Sequence, residues 1–323
     1  MDEPGRELPG TEYVVSPVAL GCWPMAGVTT LETSDEDGIA TVLAALEAGV
    51  CHFDNAYVYG PNGESERLLG EALGDDRDLA VIATKGGVHF EGDAMAQDAR
   101  PGTLKRECEE SLRRLGTDRV ELLYLHSPDP EVAIEESAGG LLELHEEGKT
   151  LAVGASNCTL DQIQRFHAVC PLSAVQLPYN LLQRGIERET LPWCRENGVA
   201  VMTYWPLMKG VLADKLPRDG QLDPADKRLK YPVYQGEEWA KTQELLAELR
   251  RIAEEAGRTV AQVVINWTMH QPGVTSVLCG AKRAWQIEET AGAMGWRLSD
   301  TQLAAIEAAV ERRGPAPPSR DFA

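Results

Sequence analysis

The chain lacks any long hydrophobic run. No apolar run approaches the ~18 residues that mark a membrane-spanning helix, so none is expected. The first ten residues, MDEPGRELPG, have neither a basic region nor an apolar core, and we expect no secretory signal there. Seven cysteines are scattered along the 323 residues without a CxxC pair. A disulfide scaffold is therefore not expected, and a reducing, cytoplasmic location is predicted.

Positive charge is also scarce. Lysine and arginine number 31 against 51 aspartates and glutamates, which gives a net charge of −20 and a pI near 4.7. Such a surface repels phosphate backbones and anionic headgroups, so neither nucleic acid nor a membrane is an expected partner. The one local exception that matters is the adjacent pair Lys282 and Arg283.

Hydrophobic residues make up 43% of the chain, enough to bury a large core within one domain. Short β-rich runs alternate with amphipathic helical segments. Most of the runs have no polar alternation, which is typical of strands covered on both faces. The eight runs span residues 18–22, 50–54, 79–84, 120–126, 150–157, 174–180, 199–204 and 274–279.

Eight successive β-then-α units predict parallel strands joined by right-handed crossovers. A closed (β/α)8 barrel, the TIM barrel, accommodates them best. An open doubly wound sheet is the alternative, but no GxGxxG follows an early strand. We therefore expect a single α/β domain over residues 1–323, with a short hairpin within 11–18 at the barrel bottom. Two consecutive helices, 237–257 and 259–270, precede the eighth strand as extra C-terminal helices.

Three helices have recognisable first residues. Ser34 is a predicted N-cap, Pro101 opens a helix that Gly116 ends, and Ser299 with Gln302 forms a predicted capping box. The first of these helices has a predicted apolar face made of Ile39, Val42, Leu43 and Leu46.

Two segments are irregular in sequence. Residues 208–236 combine several prolines and glycines with many charges, and they are long for a connection in a compact domain. We interpret this stretch as a lid. Residues 313–323 are proline-bearing and are predicted to form a mobile tail.

Polar side chains follow three successive strands at the point where each strand ends. Asp54, Lys85 and His126 occupy these positions, and Tyr59 lies five residues beyond the aspartate. Strand C-terminal ends meet at one face of a (β/α)8 barrel, so we expect the four side chains to converge there.

The four residue types together suit proton transfer. A phenol titrates near ~10, so Tyr59 needs a cation to become a better donor at neutral pH, and Lys85 is the predicted cation. Asp54 would hold the lysine, and His126 would hydrogen-bond the reacting group. Each residue alone has an ordinary interpretation: a structural ion pair, a satisfied histidine or a packed tyrosine. Their joint position at the ends of neighbouring strands favours catalysis.

The stretches that carry these residues, FDNAYVYG at 53–60, ATKGG at 83–87 and LLYLHSPD at 122–129, resemble the aldo-keto reductase family, and the resemblance extends over nearly the whole chain. It implies an oxidoreductase that transfers hydride between NADP(H) and a small aldehyde or ketone, possibly sugar-like, or catalyses the reverse oxidation. Tyr59 would be the general acid or base. The family's use of this scaffold for regulatory subunits, which bind nicotinamide with little turnover, is the alternative. A metal-dependent barrel hydrolase is disfavoured because no HxH pair follows the first strand, and no metal site is predicted.

The resemblance also implies a cofactor site. Ser156, Asn157 and Gln176 would hydrogen-bond the carboxamide, Tyr204 would stack on the nicotinamide ring, and the lid would fold over the pyrophosphate. The full predicted set is Gly21, Trp23, Ser156, Asn157, Gln176, Tyr204, Trp205, Pro206, Leu207, Gly210, Leu212, Gly280, Ala281, Lys282, Gln286, Glu289 and Thr290.

Lys282 decides the expected cofactor. It stands at the start of a predicted helix, whose free N–H groups favour a phosphate, and its charge favours NADP(H) over NAD(H). A solvated surface cation is the alternative interpretation. The substrate pocket is predicted to be lined by Trp23, Tyr59, His89, His126 and Trp205, with Phe90 a further candidate wall. The substrate stays open, and so does the oligomeric state, for which a monomer is compatible with the sequence.

Overall fold

The structure, a computed structural model, describes residues 4–27, 33–92, 94–224 and 226–317. The strands within these ranges are short, and most are wholly buried. In chain order they are β1 (Arg6–Glu7), β2 (Val14–Val15), β3 (Val18–Gly21), β4 (His52–Asp54), β5 (Val81–Gly86), β6 (Val88–Glu91), β7 (Ala94–Gln97), β8 (Leu122–Leu125), β9 (Val153–Ser156), β10 (Ala174–Pro178), β11 (Ala200–Tyr204) and β12 (Ser276–Gly280).

Helices alternate with the strands through most of the chain. They are α1 (Asp35–Glu47), α2 (Glu64–Leu73), α3 (Pro101–Leu115), α4 (Ile134–Glu146), α5 (Leu160–Val169), α6 (Thr190–Glu196), α7 (Gly236–Ala256), α8 (Val260–Met269), α9 (Ala284–Ala291) and α10 (Asp300–Arg313).

Strands β3, β4, β5, β8, β9, β10, β11 and β12 close into a barrel in that order, and every neighbouring pair is parallel. The predicted (β/α)8 barrel is thereby confirmed. Apolar side chains fill the layer between the strands and the helices. A second, smaller cluster fills the barrel interior, where Tyr124 is fully buried beside Met202.

An antiparallel hairpin closes the barrel bottom. It pairs β1 with β2, and its Leu8 and Val15 are fully buried in the interior cluster. The hairpin therefore begins earlier than the predicted 11–18, because its first strand is the polar pair Arg6–Glu7, which has no apolar pattern. Arg6 donates instead to the carbonyls of Val274 and Thr275, and these bonds tie the hairpin to the barrel.

The predicted helix starts are confirmed. Ser34 caps α1 with a capping box, Pro101 is the first residue of α3, and Ser299 forms a box with Gln302 before α10. The predicted face of α1 needs a correction at Leu43, which is 41% exposed. Since α1 packs against both α2 and α9, its buried side runs through Thr41, Val42, Ala44 and Ala45.

The predicted lid, residues 208–236, contains three short 3-10 turns in its described part, Met208–Ala213, Lys227–Lys230 and Pro232–Tyr234. The predicted tail at 313–323 begins within a helix: Arg313 ends α10, is 5% exposed and pairs with Glu238 at 2.7 Å. Residues 318–323 of that tail lie outside the described residues. No helix in the described ranges is long and apolar enough to cross a bilayer.

Candidate active site

The C-terminal ends of the eight strands form one rim, called the mouth below, and three of them carry the predicted polar residues. Asp54 is the last residue of β4, Lys85 is next to last in β5, and His126 directly follows β8. Parallel register sets their relative heights, with Asp54 opposite Ala83 and Lys85 opposite Tyr124. The structure therefore brings these predicted residues together, as barrel topology requires.

The Lys85 ammonium is the centre of the cluster. Its Nζ lies 2.8 Å from Asp54 Oδ2, 2.7 Å from the Asn55 carbonyl oxygen and 3.3 Å from the Tyr59 hydroxyl. An ammonium has three N–H donors, and each has an acceptor here. Lys85 is 1% exposed and Asp54 3% exposed, so the pair is buried. Full pairing is what makes a buried charge tolerable.

A second donor fixes Asp54. Gln176, in β10, donates from Nε2 to Asp54 Oδ1 at 2.7 Å, so both carboxylate oxygens are used. The backbone carbonyl of Asp54 accepts from Cys22 N at 2.9 Å. Gln176 was predicted as a cofactor residue, and the structure ties it directly to the proton-transfer cluster.

Tyr59 presents its hydroxyl to the mouth. The ring is half-buried, with its centroid 5.0 Å from the Trp23 ring and 6.1 Å from the His126 ring, both in edge-on geometry. Because the hydroxyl oxygen accepts from Lys85, its own hydrogen is left for another acceptor. An acceptor that enters between Trp23 and His126 is well placed to take it.

The expected acidification of Tyr59 does not appear. Burial raises the pKa of the Tyr59 hydroxyl well above its usual value, and the negative charge of Asp54 raises it further. Since Asp54 balances the charge of Lys85, the pair presents little net positive charge to the phenol. Tyr59 is consequently protonated at neutral pH, the state that a proton donor needs.

His126 is neutral at the mouth. Burial, with the nearby charge of Lys85, lowers the pKa of its imidazole to about 3. Its ring Nδ1 is buried and has no hydrogen-bond partner among the described residues, while the backbone carbonyl accepts from Asn157 Nδ2 at 2.8 Å. A buried ring nitrogen without a partner beside Tyr59 suits a polar ligand.

The predicted carboxamide ligands form a chain beside the cluster. Asn157, at φ 60°, donates to the His126 carbonyl and accepts from the Tyr204 hydroxyl at 2.7 Å. Ser156 donates to the Gln176 carbonyl oxygen at 3.0 Å. Tyr204 ends β11 and is half-buried at the mouth, so its ring is accessible for stacking.

Backbone strain concentrates next to Tyr204. Of the five non-glycine residues with positive φ in the described ranges, four lie at 205–214: Trp205, Met208, Lys209 and Asp214. Lys209 Nζ lies 4.0 Å from the Trp205 ring centroid and 3.7 Å from that of Tyr231. Such conformations persist only where surrounding contacts enforce them, and they cluster at ligand sites. Pro206, Leu207, Gly210 and Leu212, all members of the predicted cofactor set, belong to this same strained turn.

Positive charge gathers on the far side of the mouth. Lys282, after β12, is 8% exposed, and burial lowers its ammonium pKa, with the charges of Arg283 and Arg228 adding to the effect. Arg228 lies in the predicted lid and is bound by Asp226 at 2.6 Å. The sequence analysis missed Arg228, because no periodicity in 208–236 distinguishes it from the other charges there.

Two glycines pack closely at the ends of β3 and β12. A Cβ at Gly280 would lie 3.1 Å from Pro24 Cγ, a tight contact, whereas one at Gly21 would lie an ordinary 3.5 Å from Gly280 Cα. Ala281 is buried behind them, and Gln286 Oε1 accepts from the Lys282 N–H at 2.9 Å. The accessible Tyr204 ring suits a nicotinamide ring, and the cations near Lys282 suit a phosphate. The residues present are therefore compatible with a nicotinamide dinucleotide.

The His89 side chain is bonded to a neighbouring helix. His89 was predicted to line the pocket, but its Nδ1 lies 2.8 Å from Glu107 Oε1 on α3. Neighbouring residues of a strand point to opposite faces. The next residue, Phe90, packs together with Tyr59 against a small apolar cluster made of Ala56, Val58 and Val88. The β6–β7 hairpin that sets this alternation was not predicted.

Thr290, predicted to contact the cofactor, is 7% exposed, and its hydroxyl donates to the Ile287 carbonyl at 3.2 Å within α9. Its neighbour Glu289 reaches the lid instead, through an ion pair with Lys215 at 3.0 Å.

A closed barrel with a buried ion pair and a phenol at the C-terminal ends of its strands has the architecture of a barrel enzyme. The chain matches the family model described as the Aldo/keto reductase family over residues 17–311. It is 32% identical over 322 residues to aldo-keto reductase YhdN of Bacillus subtilis, a match that covers 96% of this chain and 97% of that protein. It is 33% identical over 307 residues to probable aldo-keto reductase 1 of Glycine max, covering 93% and 87% respectively.

Solved structures agree. The glycerol dehydrogenase AKR11B4 from Gluconobacter oxydans superposes with a TM-score of 0.90 at 33% identity, covering 99% of this chain and 98% of that one. Aldo-keto reductase AKR11C1 from Bacillus halodurans, in its holo form, gives a TM-score of 0.79 at 23% identity over 99% of both chains, a likeness of fold. The chain belongs to the aldo/keto reductase family. It is thus a member of an oxidoreductase family that generally uses nicotinamide cofactors and acts on small molecules.

Proposed function

We propose that this protein is an NADP(H)-dependent oxidoreductase that reduces a small aldehyde or ketone to an alcohol, or catalyses the reverse oxidation, with Tyr59 as general acid and base. The supporting observation is the Tyr59 hydroxyl, 3.3 Å from a Lys85 ammonium that is itself bound by Asp54 at 2.8 Å. One of the similar solved structures is named a glycerol dehydrogenase, which favours a small polyol or sugar-like alcohol as the substrate in the direction of oxidation.

The reaction divides between cofactor and protein. The chemistry that NADPH would supply when bound is the hydride for the carbonyl carbon. Tyr59 donates its proton to the carbonyl oxygen as negative charge develops there, and Lys85 stabilises the resulting phenolate. The neutral His126 ring hydrogen-bonds the same oxygen and orients it, since an imidazole with a pKa of about 3 carries no charge at neutral pH. Asp54 keeps the ammonium in position throughout.

The positions of several residues at the mouth support the proposed cofactor contacts. Tyr204 offers its ring to the nicotinamide, with Ser156, Asn157 and Gln176 beside it. Lys282 supplies the positive charge that a 2′-phosphate requires, and this charge is the basis for NADP(H) over NAD(H). Arg283 and Arg228 lie near it, each ion-paired with an aspartate, at 2.7 Å from Asp37 and 2.6 Å from Asp226 respectively. The segment 208–236 is the proposed lid, and the Lys215–Glu289 pair joins it to α9.

The experiment follows the absorbance of reduced nicotinamide with a panel of aldehydes, ketones and sugars. Tyr59→Phe is the matched variant, because it removes the hydroxyl and retains the ring. We expect turnover to fall by about 10²- to 10⁴-fold, the usual contribution of a general acid, while NADPH affinity stays nearly unchanged.

Retention of most activity in Tyr59→Phe would refute the role of the phenol. Tight NADPH binding by the unaltered chain without turnover of any carbonyl would instead favour the nicotinamide-binding regulatory subunit. Exchange of the substrate panel for the matching alcohols, with oxidised cofactor, tests the reverse direction in the same assay.

A further inference from the structure

A polar network joins the loop of Tyr59 to the strand of Lys85, with Glu66 fully buried and the Arg114 side chain 18% exposed. Arg114, on α3, donates from Nη1 to the Tyr57 carbonyl and to Glu66 Oε2, both at 3.1 Å. Glu66, on α2, accepts on Oε1 from the Thr84 hydroxyl at 2.6 Å. Thr84 directly precedes Lys85 in β5, so a short path connects the two proton-transfer residues through one guanidinium.

The network contacts the loop of Tyr59 through Tyr57. Its backbone N–H donates to the Lys85 carbonyl at 3.0 Å, and its carbonyl accepts from Arg114. The Arg114 guanidinium lies 4.2 Å from the Tyr57 ring centroid, and the Tyr57 hydroxyl donates to Glu110 Oε2 at 2.7 Å. Backbone, ring and hydroxyl of Tyr57 are therefore all fixed two residues before Tyr59.

The chain makes room for Arg114. Gly63, at φ 70°, lies so close that a Cβ there would meet Arg114 Cδ at 2.4 Å. Glu66 is fully buried, and burial raises the pKa of its carboxyl although Thr84, Ser111 and Arg114 oppose the shift. A buried ion pair is a poor device for stability alone, since apolar residues of similar volume often stabilise a fold at least as well.

We propose that Arg114 is a positioning residue: together with Glu66 and Thr84 it sets the loop of Tyr59 at hydrogen-bond distance from Lys85. This inference rests on the proposed function. The Tyr59–Lys85 contact of 3.3 Å is at the long end of hydrogen bonds, so a small outward movement of the loop breaks it. A misplacement of about 1 Å is enough to cost on the order of 100-fold in rate.

The test compares Arg114→Met with Arg113→Met. Arg113 is the neighbouring arginine on α3, with a side chain that is 73% exposed and lies 3.9 Å from Glu110. We expect Arg114→Met to lower kcat by about 10- to 100-fold with KM and NADPH affinity little changed, and to enlarge the solvent deuterium isotope effect on kcat. Arg113→Met should behave as the unaltered chain. Arg114→Lys, which keeps the charge toward Glu66, should recover part of kcat.

A second readout does not need turnover. In protein labelled at the tyrosine ring carbons, the NMR resonance of the hydroxyl-bearing carbon of Tyr59 is assigned by comparison with Tyr59→Phe. It should move in Arg114→Met and stay in Arg113→Met. If Arg114→Met does not fold, Thr84→Val takes its place, because it removes one hydroxyl at constant volume and should give the same direction of change.

The outcomes separate the two proposals. An unaltered chain that reduces no carbonyl sinks the proposed function, whereas the resonance shift still supports or overturns the positioning role of Arg114. A folded Arg114→Met that keeps both its kcat and the Tyr59 resonance overturns that role. So does a loss of kcat in Arg113→Met equal to that in Arg114→Met.

Discussion

The two sides of the mouth are built in different ways. On the side of β4, β5 and β8, Asp54, Lys85 and His126 sit on or next to a strand, and Lys85 is bonded to three neighbours within 3.3 Å. On the opposite side, residues 205–236 have no regular strand or α-helix in their described part until Gly236, and Trp205, Met208 and Lys209 adopt positive φ. The proposed proton-transfer side is thus positioned by strand register, whereas the proposed cofactor side is a strained turn.

The largest effect is expected from removal of the Asp54–Lys85 ion pair on the side of β4, β5 and β8. Lys85→Met removes the ammonium and leaves Asp54 as a buried carboxylate without its ionic partner, which costs about 3–5 kcal/mol of folding free energy. Turnover should be lost as well. Urea denaturation followed by circular dichroism measures the free energy of unfolding.

Asp54→Asn combined with Lys85→Met provides the control for that experiment. The double variant should recover much of the stability, since no unpaired charge remains buried, but none of the activity. A single Lys85→Met variant as stable as the unaltered chain would show that the pair is not needed for the stability of the fold.

On the opposite side, Lys282→Ala should weaken NADPH binding by about 10- to 100-fold, the usual size of a charge-assisted hydrogen bond to phosphate. NADH binding should change little, because NADH lacks the 2′-phosphate. Fluorescence titration with each cofactor measures both affinities, and Arg297→Ala, at an exposed position between α9 and α10, is the matched control. Equal losses for both cofactors would place the 2′-phosphate elsewhere.

A smaller effect is expected from the strained turn itself. Lys209→Met keeps the length of the side chain but removes two cation–π contacts, each worth about 0.5–1 kcal/mol. NADPH affinity should fall several-fold, and limited proteolysis within 208–236 should become faster in the cofactor-free protein. Unchanged proteolysis would show that Lys209 does not fasten the turn.

The rate of carbonyl reduction should depend very little on pH. The lowered pKa of His126, about 3, keeps its ring neutral, and the raised pKa of Tyr59 keeps its proton, from about pH 5 to about pH 8. Oxidation of the alcohol should accelerate as pH rises, because it needs the Tyr59 phenolate. Initial rates in both directions across this range check the prediction, and a fall in reduction between pH 6 and 8 would contradict it.

Sequence reasoning succeeded where chemistry and strand ends coincide. Asp54, Lys85 and His126 each follow an apolar run, and barrel topology places such positions at one mouth. It did not foresee the bond between His89 and Glu107, because the β6–β7 hairpin that orients this ring was not predicted. Arg114 and Arg228 also escaped it: their partners are distant in the chain or lie in a stretch without periodicity, and only packing brings them together.

The sequence by itself determined the barrel, the order of its strands and the four polar residues at the mouth, because hydrophobic periodicity and parallel topology dictate where strand ends meet. Only the tertiary structure decided which way the side chains of the hairpin and α9 turn, and which guanidinium reaches the Tyr57 carbonyl. It also decided the burial that, together with the charge of Asp54, raises the pKa of Tyr59 and keeps it protonated. Those outcomes depend on distances of a few ångströms between segments far apart in the chain, and no local pattern of residues encodes them.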